Sequence, residues 1–525
     1  MSGLPANLSF LMEPDAYPHP VDRVRLIETH ISWVCLAGAF AYKIKRPVCY
    51  PFIDMRSAEQ RLFFCREELR LNRRFAPDLY LDVVPITSDG RNARIGGTGD
   101  IIEHAVRMCQ FDTREELDRL VAEARVEPSE LSQFGEHLAR LHERLPPAET
   151  GSHYGTLVSV TEALRQNLEQ VGSLSRRAGL HIDSRELTQS MHKRLEACAA
   201  FIDARHASGR VRECHGDLHC CNVVRSAGRL LAFDGLEFEP AFRWIDVAEE
   251  IAFLFMDLCR RGASVHANAF VNGYLGEGGD YEAVRLLRLY GAHRALVRAK
   301  VAALEVEGAT AAGPNGCDRF VSDHREYLDC ARNLLAPHRP TLVLMSGLSG
   351  SGKTWLAQRV AGRFSAIHVR SDVERKRLAG LVASHSSHSG IDQGLYAQGA
   401  NDHTYRRLAR CASDILAGGF CAIVDATFQR RADRALFIKL AADLHVPLVL
   451  VRCRAPFEVL RTRIFDRARK AHDASEATLA VLEHQQASVE AIKPGEDLEV
   501  IDADTTRESI VDEVEGMLKL HRSAP

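Results

Sequence analysis

Eight consecutive residues in the last third of the chain have types and spacing that suit phosphate binding. They are Gly347, Leu348, Ser349, Gly350, Ser351, Gly352, Lys353 and Thr354. The segment follows an apolar run at 341–345 and precedes a helix-like run at 355–361, so it joins a predicted strand to a predicted helix. In that context backbone N–H groups surround a polyphosphate, Lys353 reaches its outer phosphates, and the Thr354 hydroxyl binds Mg²⁺. The alternative is a Gly/Ser-rich turn before a helix, and the complete pattern favours a nucleoside triphosphate site.

A second set of polar residues lies upstream and has different spacing. Asp217 is followed five residues later by Asn222 and preceded two residues earlier by His215. This is the spacing of a kinase catalytic loop, in which the acid orients an attacking hydroxyl and the amide holds a metal ion. Twelve residues after Asn222, an apolar strand ends in Asp234, an acid that supplies a second metal contact. The alternative is a polar loop followed by an ordinary strand end, and His219 is expected to be a packing or hydrogen-bonding residue.

The elements around this upstream loop form a β-rich region followed by helices. Predicted in chain order are a hairpin of strands 31–36 and 39–45, a helix from Ser57 to about Phe75, and strands 79–86 and 101–109. Thr113 and Glu116 have the spacing of a capping box that starts a helix. From there to residue 335 the pattern is mainly helical, interrupted by a strand-and-loop region at 211–234.

This order of lobes, with its loop residues, resembles the aminoglycoside phosphotransferase family, whose members are relatives of the protein kinases. The residues that carry the resemblance are His215, Gly216, Asp217, Leu218, His219, Asn222, Phe233 and Asp234. The resemblance implies that Asp217 is the catalytic base and that Asn222 and Asp234 are magnesium ligands. It also implies that His215 braces the loop.

The same resemblance requires a lysine on an early strand for the α- and β-phosphates, oriented by a glutamate on a helix. Lys43 and Lys45 share one face of a predicted strand because side chains alternate along it. Lys43 is the favoured candidate for the phosphate-binding lysine, and Lys45 is the second candidate. Glu68 is the preferred partner and Glu67 the alternative. For either lysine, the other interpretation is a solvated residue on an edge strand.

Two features depart from the resemblance. The hairpin turn at 37–39 holds one glycine, which predicts weaker phosphate cover than in protein kinases. No cluster of carboxylates suits the amines of an aminoglycoside. One predicted helix instead carries Arg294, Arg298 and Lys300, expected as a solvated face, with a pocket for an anionic acceptor as the minor alternative. Resistance to aminoglycosides therefore does not follow.

The downstream region alternates strands and helices, which predicts a parallel sheet covered on both faces. Its predicted strands are 341–346, 366–370, 420–425, 447–453 and 497–501. Asp372 and Asp425 follow two of these strands, so both are expected at the sheet edge where ligands bind. Asp425 is predicted to hold magnesium through water, and a helix-capping role is the alternative for each acid. The low-complexity segment 383–390 is predicted to be a surface loop.

Arg463 and Arg467 lie one helical turn apart, as in a hinged lid that closes over a transferring phosphoryl group. A solvated helix face is the alternative. With the phosphate loop, Ser371-Asp372, the strand ending at Asp425 and the segment 474–477, these arginines resemble P-loop kinases of the polynucleotide-kinase and zeta-toxin type. That resemblance implies that Asp372 activates an acceptor hydroxyl and that Arg463 or Arg467 stabilises the transferred charge. No glutamate follows Asp425, which favours a kinase over a motor ATPase.

The bulk composition is compatible with a two-domain protein. At 525 residues the chain exceeds what one core serves, and prolines at 337 and 340 predict a boundary between domains 1–336 and 341–525. A net charge of −3 gives no general attraction to nucleic acid or to membranes. Fourteen scattered cysteines without a CxxC pair, no visible secretory signal and no bilayer-length apolar run predict a cytoplasmic protein.

Together these patterns predict an α+β protein-kinase-like fold followed by an α/β P-loop kinase fold. Nearly the whole chain resembles bacterial fusions of an aminoglycoside phosphotransferase with a P-loop, AAA-family ATP-binding region. The predicted function is a bifunctional phosphotransferase that uses ATP and Mg²⁺ to phosphorylate hydroxyls of small molecules or, downstream, of nucleotide-type acceptors. The alternatives are a single kinase regulated by an upstream nucleotide sensor, and a nucleic-acid 5′-end kinase. No sequence feature identifies either acceptor or an oligomeric state.

Overall fold

A computed structural model describes most of the chain. The described residues are 3–50, 53–90, 92–180, 182, 184–312, 317–382, 397–470, 478–493 and 495–523. The segments 383–390 and 474–477 of the sequence analysis therefore lie outside the described residues. Two compact units are distinguished. The first consists of Met1–Glu130, Leu141–Val160 and Ile202–Asp257, and the second of Leu131–Arg140, Thr161–Phe201 and Leu258–Pro525. The boundary near residue 340 remains a prediction.

The first unit contains an antiparallel sheet. Its described strands, in spatial order, are β1 (Val24–Glu28), β2 (Ser32–Ala37), β3 (Phe40–Lys45), β8 (Asp100–Cys109), β6 (Tyr80–Ser88) and β7 (Ala93–Ile95). The hairpin of β2 and β3 and the strands β6 and β8 confirm the sequence predictions, whereas β1 and β7 were not predicted. Two short strands, β4 (Cys49–Tyr50) and β5 (Ile53–Asp54), pair beside this sheet. Because β3 is central, its lysines cannot be solvated edge residues.

Helix α1 (Ala58–Phe75) follows β5 and packs on strands of this sheet. It begins as predicted at Ser57, whose hydroxyl accepts the N–H of Gln60 at 3.2 Å. The predicted capping box is wrong. Asp112, one residue before Thr113, accepts the N–H of Arg114 at 2.9 Å and starts a 3₁₀ turn, after which α2 (Leu117–Ala122) begins without a side-chain cap. A carboxylate at the turn's first position therefore replaces the threonine hydroxyl.

The rest of the first unit holds the upstream loop. Strand β9 (Val211–Glu213) pairs with β12 (Trp244–Asp246), and β10 (Val223–Ser226) pairs with β11 (Arg229–Ala232). The loop at 214–222 connects β9 to β10, and helices α6 (Pro240–Arg243) and α7 (Val247–Arg260) follow on either side of β12. Asp217 and Asn222 are thus held between two short antiparallel pairs.

The second unit contains a parallel sheet, as predicted. Its described strands, in spatial order, are β14 (Ala366–Arg370), β15 (Cys421–Asp425), β13 (Leu342–Ser346), β16 (Leu448–Arg454) and β17 (Glu499–Asp504). Nearly every residue of β13 and β15 is apolar and buried, as expected for parallel strands covered on both faces. One core of the unit is formed by these strands with α11 (Lys353–Phe364) and α17 (Ile510–Ser523).

The remaining helices lie largely in the second unit. They are α3 (Pro128–Arg144), α4 (Leu157–Arg177), α5 (Ser184–Ala207), α8 (Ser264–Gly278), α9 (Val284–Ala312), α10 (Asp318–Leu335), α12 (Ser371–Leu378), α13 (Gln398–Ala417), α14 (Arg431–Leu444), α15 (Phe457–Lys470) and α16 (Leu479–Ser488). Helices α3, α4 and α5 each contribute residues to both units. Within the described ranges, no helix is long and apolar enough to cross a bilayer.

Helix α8 covers the edge of the parallel sheet. The side-chain amide of Asn272 donates to the carbonyl of Ala366 at 3.0 Å and accepts the N–H of His368 at 2.7 Å. These two backbone groups belong to β14, the edge strand, and would otherwise be available to another strand. One asparagine therefore takes the place of a neighbouring strand.

The expectation of a solvated basic face on α9 is wrong. Arg294 retains 7% exposure and lies among buried apolar residues of the helix. Burial lowers the pKa of Lys300, and the neighbouring Arg294 lowers it further. Helix α9 is enclosed on most sides, so its arginines pack within the fold.

Candidate active sites

The first candidate site begins where β3 meets α1. The Lys43 ammonium lies 2.7 Å from one carboxylate oxygen of Glu68, and the Lys45 ammonium lies 2.5 Å from the other. Glu67 instead pairs with Arg70 at 2.8 Å. The structure therefore brings both predicted lysines to Glu68, the preferred glutamate, and the alternative Glu67 faces elsewhere.

The loop between β9 and β10 adds an acid and an amide. The side-chain nitrogen of Asn222 donates to the Asp217 carboxylate at 3.0 Å and to the Asp217 backbone carbonyl at 2.9 Å. The His219 ring lies 3.4 Å from the same carboxylate and packs edge-on against Phe253. These contacts hold the Asp217 side chain in place and agree with the packing role expected of His219.

His215 fixes the loop from behind. Its ring nitrogen contacts the carbonyl of Phe233 at 2.8 Å, while Glu250 on α7 accepts the backbone N–H groups of His215 and Gly216 at 2.7 and 3.0 Å. Burial lowers the pKa of His215 to about 4, so its ring is neutral near pH 7. Glu250 was missed by sequence reasoning, because an acid at a helix start has no distinctive spacing to the loop.

Asp234 joins the loop to the lysines. Its carboxylate forms an ion pair with Lys43, and its backbone N–H donates to the Tyr80 hydroxyl at 3.0 Å. Burial alone would raise the pKa of Asp234, but Lys43 outweighs that effect and lowers it. Asp217 opposes this lowering slightly, because two carboxylates repel each other. The first site thus combines Lys43, Glu68, Asp217 and Asp234.

These residues fit a magnesium ion by the chemistry of their donors. Asp234 offers carboxylate oxygens and Asn222 an amide oxygen, and Mg²⁺ prefers oxygen ligands. The Asn222 nitrogen is engaged by Asp217, which leaves the amide oxygen as the metal-binding atom. A separate buried group, His142, Cys214 and Glu250, also has ligand atoms within 4.8 Å of one another. The Glu250 oxygens there accept two backbone N–H groups and serve the loop.

The second candidate site is the loop between β13 and α11. Gly350 and Gly352 have φ of +80° and +82°, a left-handed conformation that L-residues rarely adopt. A side chain at Gly350 would also approach the carbonyl of Leu460 to 2.7 Å. The Lys353 ammonium contacts the carbonyl of Leu348 at 3.5 Å, across the loop. The eight predicted residues therefore form one compact turn at the start of a helix.

Thr354 and Asp425 meet at the sheet edge. The Thr354 hydroxyl donates to one Asp425 carboxylate oxygen at 2.6 Å, and the His368 ring lies 3.4 Å from that oxygen. Burial alone would raise the pKa of Asp425, but His368, Lys353 and Thr354 together lower it. The other Asp425 oxygen is buried and has no hydrogen-bond partner among the described residues. An unsatisfied carboxylate oxygen beside a threonine hydroxyl fits a Mg²⁺ ion. His368 was missed by sequence reasoning.

Three further residues were predicted for the second site, namely Asp372, Arg463 and Arg467. Asp372 lies in the first turn of α12, directly after β14. The Arg463 guanidinium donates to the Thr505 hydroxyl and backbone carbonyl, each at 2.9 Å, and reaches the Gly350 carbonyl at 3.4 Å. Arg463 thus contacts the loop itself. Arg467 belongs to α15, but its side chain lies outside the described residues.

Helix α16 also contacts the phosphate loop. The side-chain oxygen of Gln485 accepts the backbone N–H of Ser349 at 2.9 Å. Leu482, on the same helix, is fully buried with Leu460 and Ile464 of α15, and this cluster packs on Leu348. The two helices are therefore anchored together over the first half of the loop. Sequence reasoning did not single out α16.

Family models match both regions of the chain. A model described as a phosphotransferase enzyme family matches residues 60–287, and one described as an AAA domain matches residues 342–492. The first match includes Glu68, Asp217 and Asp234, and the second includes Lys353 and Asp425. The fold and the two sites define a kinase-type phosphotransferase that acts on hydroxyl groups.

A curated relative covers nearly all of the chain. An uncharacterized protein of Mycobacterium tuberculosis is 30% identical over 484 residues, which is 90% of this chain and 92% of the relative. The chain belongs to the same family as this relative, a family that in this chain joins a phosphotransferase region to a P-loop region.

Two solved structures are similar to separate parts. A sugar kinase from Janibacter sp. is 20% identical, with a TM-score of 0.28, over 35% of this chain and 97% of that structure. A choline/ethanolamine kinase family protein from Mesorhizobium loti is 11% identical, with a TM-score of 0.36, over 61% of this chain and 89% of that structure.

Proposed function

We propose that the chain is a bifunctional phosphotransferase, with one active site in residues 1–336 and another in residues 341–525. Each site moves the γ-phosphoryl group of ATP to a hydroxyl of a separate acceptor. The observation that carries the proposal is that each region brings a lysine close to a carboxylate, Lys43 to Asp234 and Lys353 to Asp425, next to further oxygen donors. The fourteen cysteines are free thiols, which agrees with a cytoplasmic location.

In the first site, the proposed base is Asp217. Asn222 and His219 hold its carboxylate, which takes the proton of the acceptor hydroxyl as the oxygen attacks. Lys43, oriented by Glu68, binds the α- and β-phosphates. Asp234 and Asn222 hold the metal ion. Bound magnesium neutralises charge on the triphosphate.

In the second site, backbone N–H groups of the loop bind the phosphates and Lys353 reaches their outer oxygens. Thr354 and Asp425 would hold the metal ion, because the hydroxyl contacts one carboxylate oxygen and the other oxygen is unsatisfied. Asp372 orients the acceptor hydroxyl at the same sheet edge, and Arg463 or Arg467 stabilises the transferred charge. Catalysis in both sites consists of positioning and charge neutralisation.

A cavity beside the phosphate loop supports a small-molecule acceptor for the second site. Its volume is about 410 Å³, within the range of ligand pockets. Apolar side chains of Leu348, Phe428 and Leu460 line it, together with the polar Gln429 and Gln486. Arg434, Arg452 and Arg454 also line the cavity, so its lining is apolar in part and basic in part.

The proposal is tested with the full-length chain, ³²P-labelled ATP and a panel of hydroxyl acceptors. The variants are Asp217→Asn, Lys353→Ala and the double variant. We expect each single change to remove transfer to a different set of acceptors, by a factor on the order of 10²–10⁴ for the base. The double variant is expected to lose both activities.

Other outcomes select the alternatives. If Asp217→Asn leaves all transfer intact while nucleotide still binds the first site, that site is a sensor. If the acceptor lost in Lys353→Ala is a 5′-hydroxyl oligonucleotide, bound in a salt-sensitive manner, the second site is a nucleic-acid kinase.

A further inference from the structure

Two lysines of β3 share one glutamate, and a second acid closes the arrangement. Lys45 contacts Glu68 and also forms an ion pair with Glu237, three residues after Asp234. We propose that Lys45 and Glu237 are a buried positioning pair, which orients Glu68 and leaves Lys43 as the lysine that binds phosphate. This inference rests on the proposed nucleotide site of the first region.

Exposure separates the two lysines. The side chains of Lys45 and Glu237 are 0% and 3% exposed, so no ligand reaches them. Lys43 retains 9% and pairs with Asp234, whose side chain is 46% exposed. The Lys43 ammonium therefore borders the open part of the site. The Lys45 ammonium lies behind it, on the same strand face but enclosed by protein.

The charges explain why the enclosed pair matters. Glu68 carries one negative charge and meets two ammonium groups, each on a different oxygen. Lys45 therefore uses part of the charge that would otherwise neutralise Lys43, and Lys43 stays more attractive to a polyphosphate. Glu237 in turn compensates Lys45, since an unpaired buried ammonium is very unfavourable. Burial alone would lower the pKa of Lys45, but Glu237 and Glu68 outweigh it and keep the lysine charged.

The geometry also restricts Glu68. Its carboxylate is fully buried, and each oxygen faces a different lysine, so rotation of the group would break one ion pair. If Lys45 loses its charge, Glu68 loses one ion pair and is free to turn away from Lys43. If Lys45 keeps its charge but loses Glu237, Glu68 is drawn toward Lys45 and away from Lys43. The predicted consequence is a misplaced Lys43 and weaker phosphate binding, in a protein that remains folded.

The experiment measures affinity at the first site alone. The full-length chain carries Lys353→Ala to disable the second site, and binding of the fluorescent probe N-methylanthraniloyl-ATP with magnesium is titrated. The test variants are Glu237→Gln, the charge-neutral pair Lys45→Met with Glu237→Leu, and the conservative Lys45→Arg. Lys43→Met is the reference for direct loss of a phosphate contact.

A matched control comes from the same helix and sheet. Arg61 on α1 forms a buried ion pair with Glu103 on β8 at 2.6 Å. Glu103→Gln removes a buried carboxylate of the same kind, so it reports the cost of a lost ion pair without a role at the site. Thermal unfolding of every variant is measured beside the affinity.

We expect Lys43→Met to weaken probe binding on the order of 100-fold, which corresponds to about 2.7 kcal/mol. Glu237→Gln and the charge-neutral pair are expected to weaken it about tenfold, whereas Lys45→Arg retains most affinity because it keeps the charge. Glu103→Gln is expected to lower thermal stability and leave affinity unchanged. If Glu237→Gln fails to fold, the charge-neutral pair supplies the readout, because it leaves no buried charge unpaired.

The failures are distinguishable. If Glu237→Gln and the charge-neutral pair bind the probe as tightly as the parent while Lys43→Met does not, the inference is overturned and the nucleotide site stands. If Lys43→Met also binds normally, the first site is not the nucleotide site and the proposed function of that region falls. If Lys45→Arg is as weak as the charge-neutral pair, charge is not what Lys45 contributes, and the inference is likewise overturned.

Discussion

In the first site, each lysine is met by two carboxylates, Lys43 by Glu68 and Asp234 and Lys45 by Glu68 and Glu237. In the second site, the Lys353 ammonium donates to the backbone carbonyl of Leu348 at 3.5 Å. One site is assembled from side chains on a strand, a helix and two loops, and its charges stabilise one another. The other is a contiguous turn that presents backbone N–H groups.

The comparison shows that a lysine predicted to bind phosphate can be held in two ways, by buried carboxylates in the first site or by a backbone turn in the second. The lysines of the first site contribute both to binding and to the stability of their unit, because removing one leaves buried acids uncompensated. Lys353 also stabilises the buried charge of Asp425, but only as one of several groups that do so. Four predictions compare the two units, from the largest expected effect to the smallest.

The largest contrast is expected between Lys43→Met and Lys353→Ala. Each is expected to remove one equivalent of a bound non-hydrolysable ATP analogue in calorimetric titration. Lys43→Met is also expected to lower the free energy of unfolding by about 3–5 kcal/mol, because it breaks a buried ion-pair network. Lys353→Ala is expected to lower it less, by about 1 kcal/mol. Hydrogen exchange followed by mass spectrometry reports each unit separately, and equal destabilisation by both changes would contradict the contrast.

A pH-dependent effect is expected in the first unit at Glu213, which contacts Arg70, Arg74 and Arg243 at 2.8, 2.6 and 3.1 Å. Burial opposes ionisation, but the arginines lower the pKa of Glu213 from 4.5 to about 2. A lowered folded-state pKa stabilises the fold above pH 4.5, and that contribution is lost as the pH falls from 4.5 to about 2.

Glu213→Gln is therefore expected to destabilise the first unit by about 3 kcal/mol at pH 7, and progressively less toward pH 2. Urea unfolding at several pH values checks this, with hydrogen exchange to assign the unit. A cost that stays constant from pH 7 to pH 2.5 would show that the carboxylate charge is not responsible.

The edge of the parallel sheet gives a smaller effect in the second unit. Asn272→Ala removes the partners of two β14 backbone groups and is expected to lower the free energy of unfolding by about 1–3 kcal/mol. The matched control is Asn333→Ala, at an exposed position of α10. Faster hydrogen exchange confined to 366–370 supports the assignment, whereas unchanged exchange there would refute it.

The smallest effect concerns Gln485, whose oxygen occupies the Ser349 N–H. Because this hydrogen bond competes with a phosphate oxygen for the same donor, Gln485→Ala is expected to tighten binding of the ATP analogue about two- to fivefold, on the order of 1 kcal/mol or less. The exposed Ser488 of the same helix provides the control, with Ser488→Ala expected to be neutral. Weaker binding in Gln485→Ala would mean that the glutamine supports the loop instead.

The parts predicted from sequence are those encoded by contiguous residues. The phosphate loop is one octapeptide between an apolar strand and a helix, and the parallel strands appear as separate apolar runs. Lys43, Lys45 and Glu68 were found through the family resemblance, which implies a lysine on an early strand and a glutamate on a helix; alternation then placed both lysines on one strand face. The roles of the individual site residues remain predictions.

The parts that sequence reasoning missed depend on tertiary contacts. Glu237 lies in a loop, and Glu250 on α7 contacts a loop; no local pattern defines the path of either loop. His368 has the sequence pattern of an ordinary strand residue. The wrong expectations have the same origin. The capping role moved from Thr113 to its neighbour, and Arg294 is buried because α9 is covered by other helices, which periodicity on one helix does not show.

Asn272 has a consequence for how the chain is made. It belongs to the segment 60–287 that matches the phosphotransferase model, yet it covers the edge of the P-loop sheet. During synthesis on the ribosome, this amide is complete almost a hundred residues before β14 emerges. Asn272 can therefore bind the edge of β14 as soon as the strand forms. We expect this contact to reduce edge-to-edge association between nascent chains. Removing the segment that carries Asn272 would therefore leave the edge of β14 without these two hydrogen-bond partners.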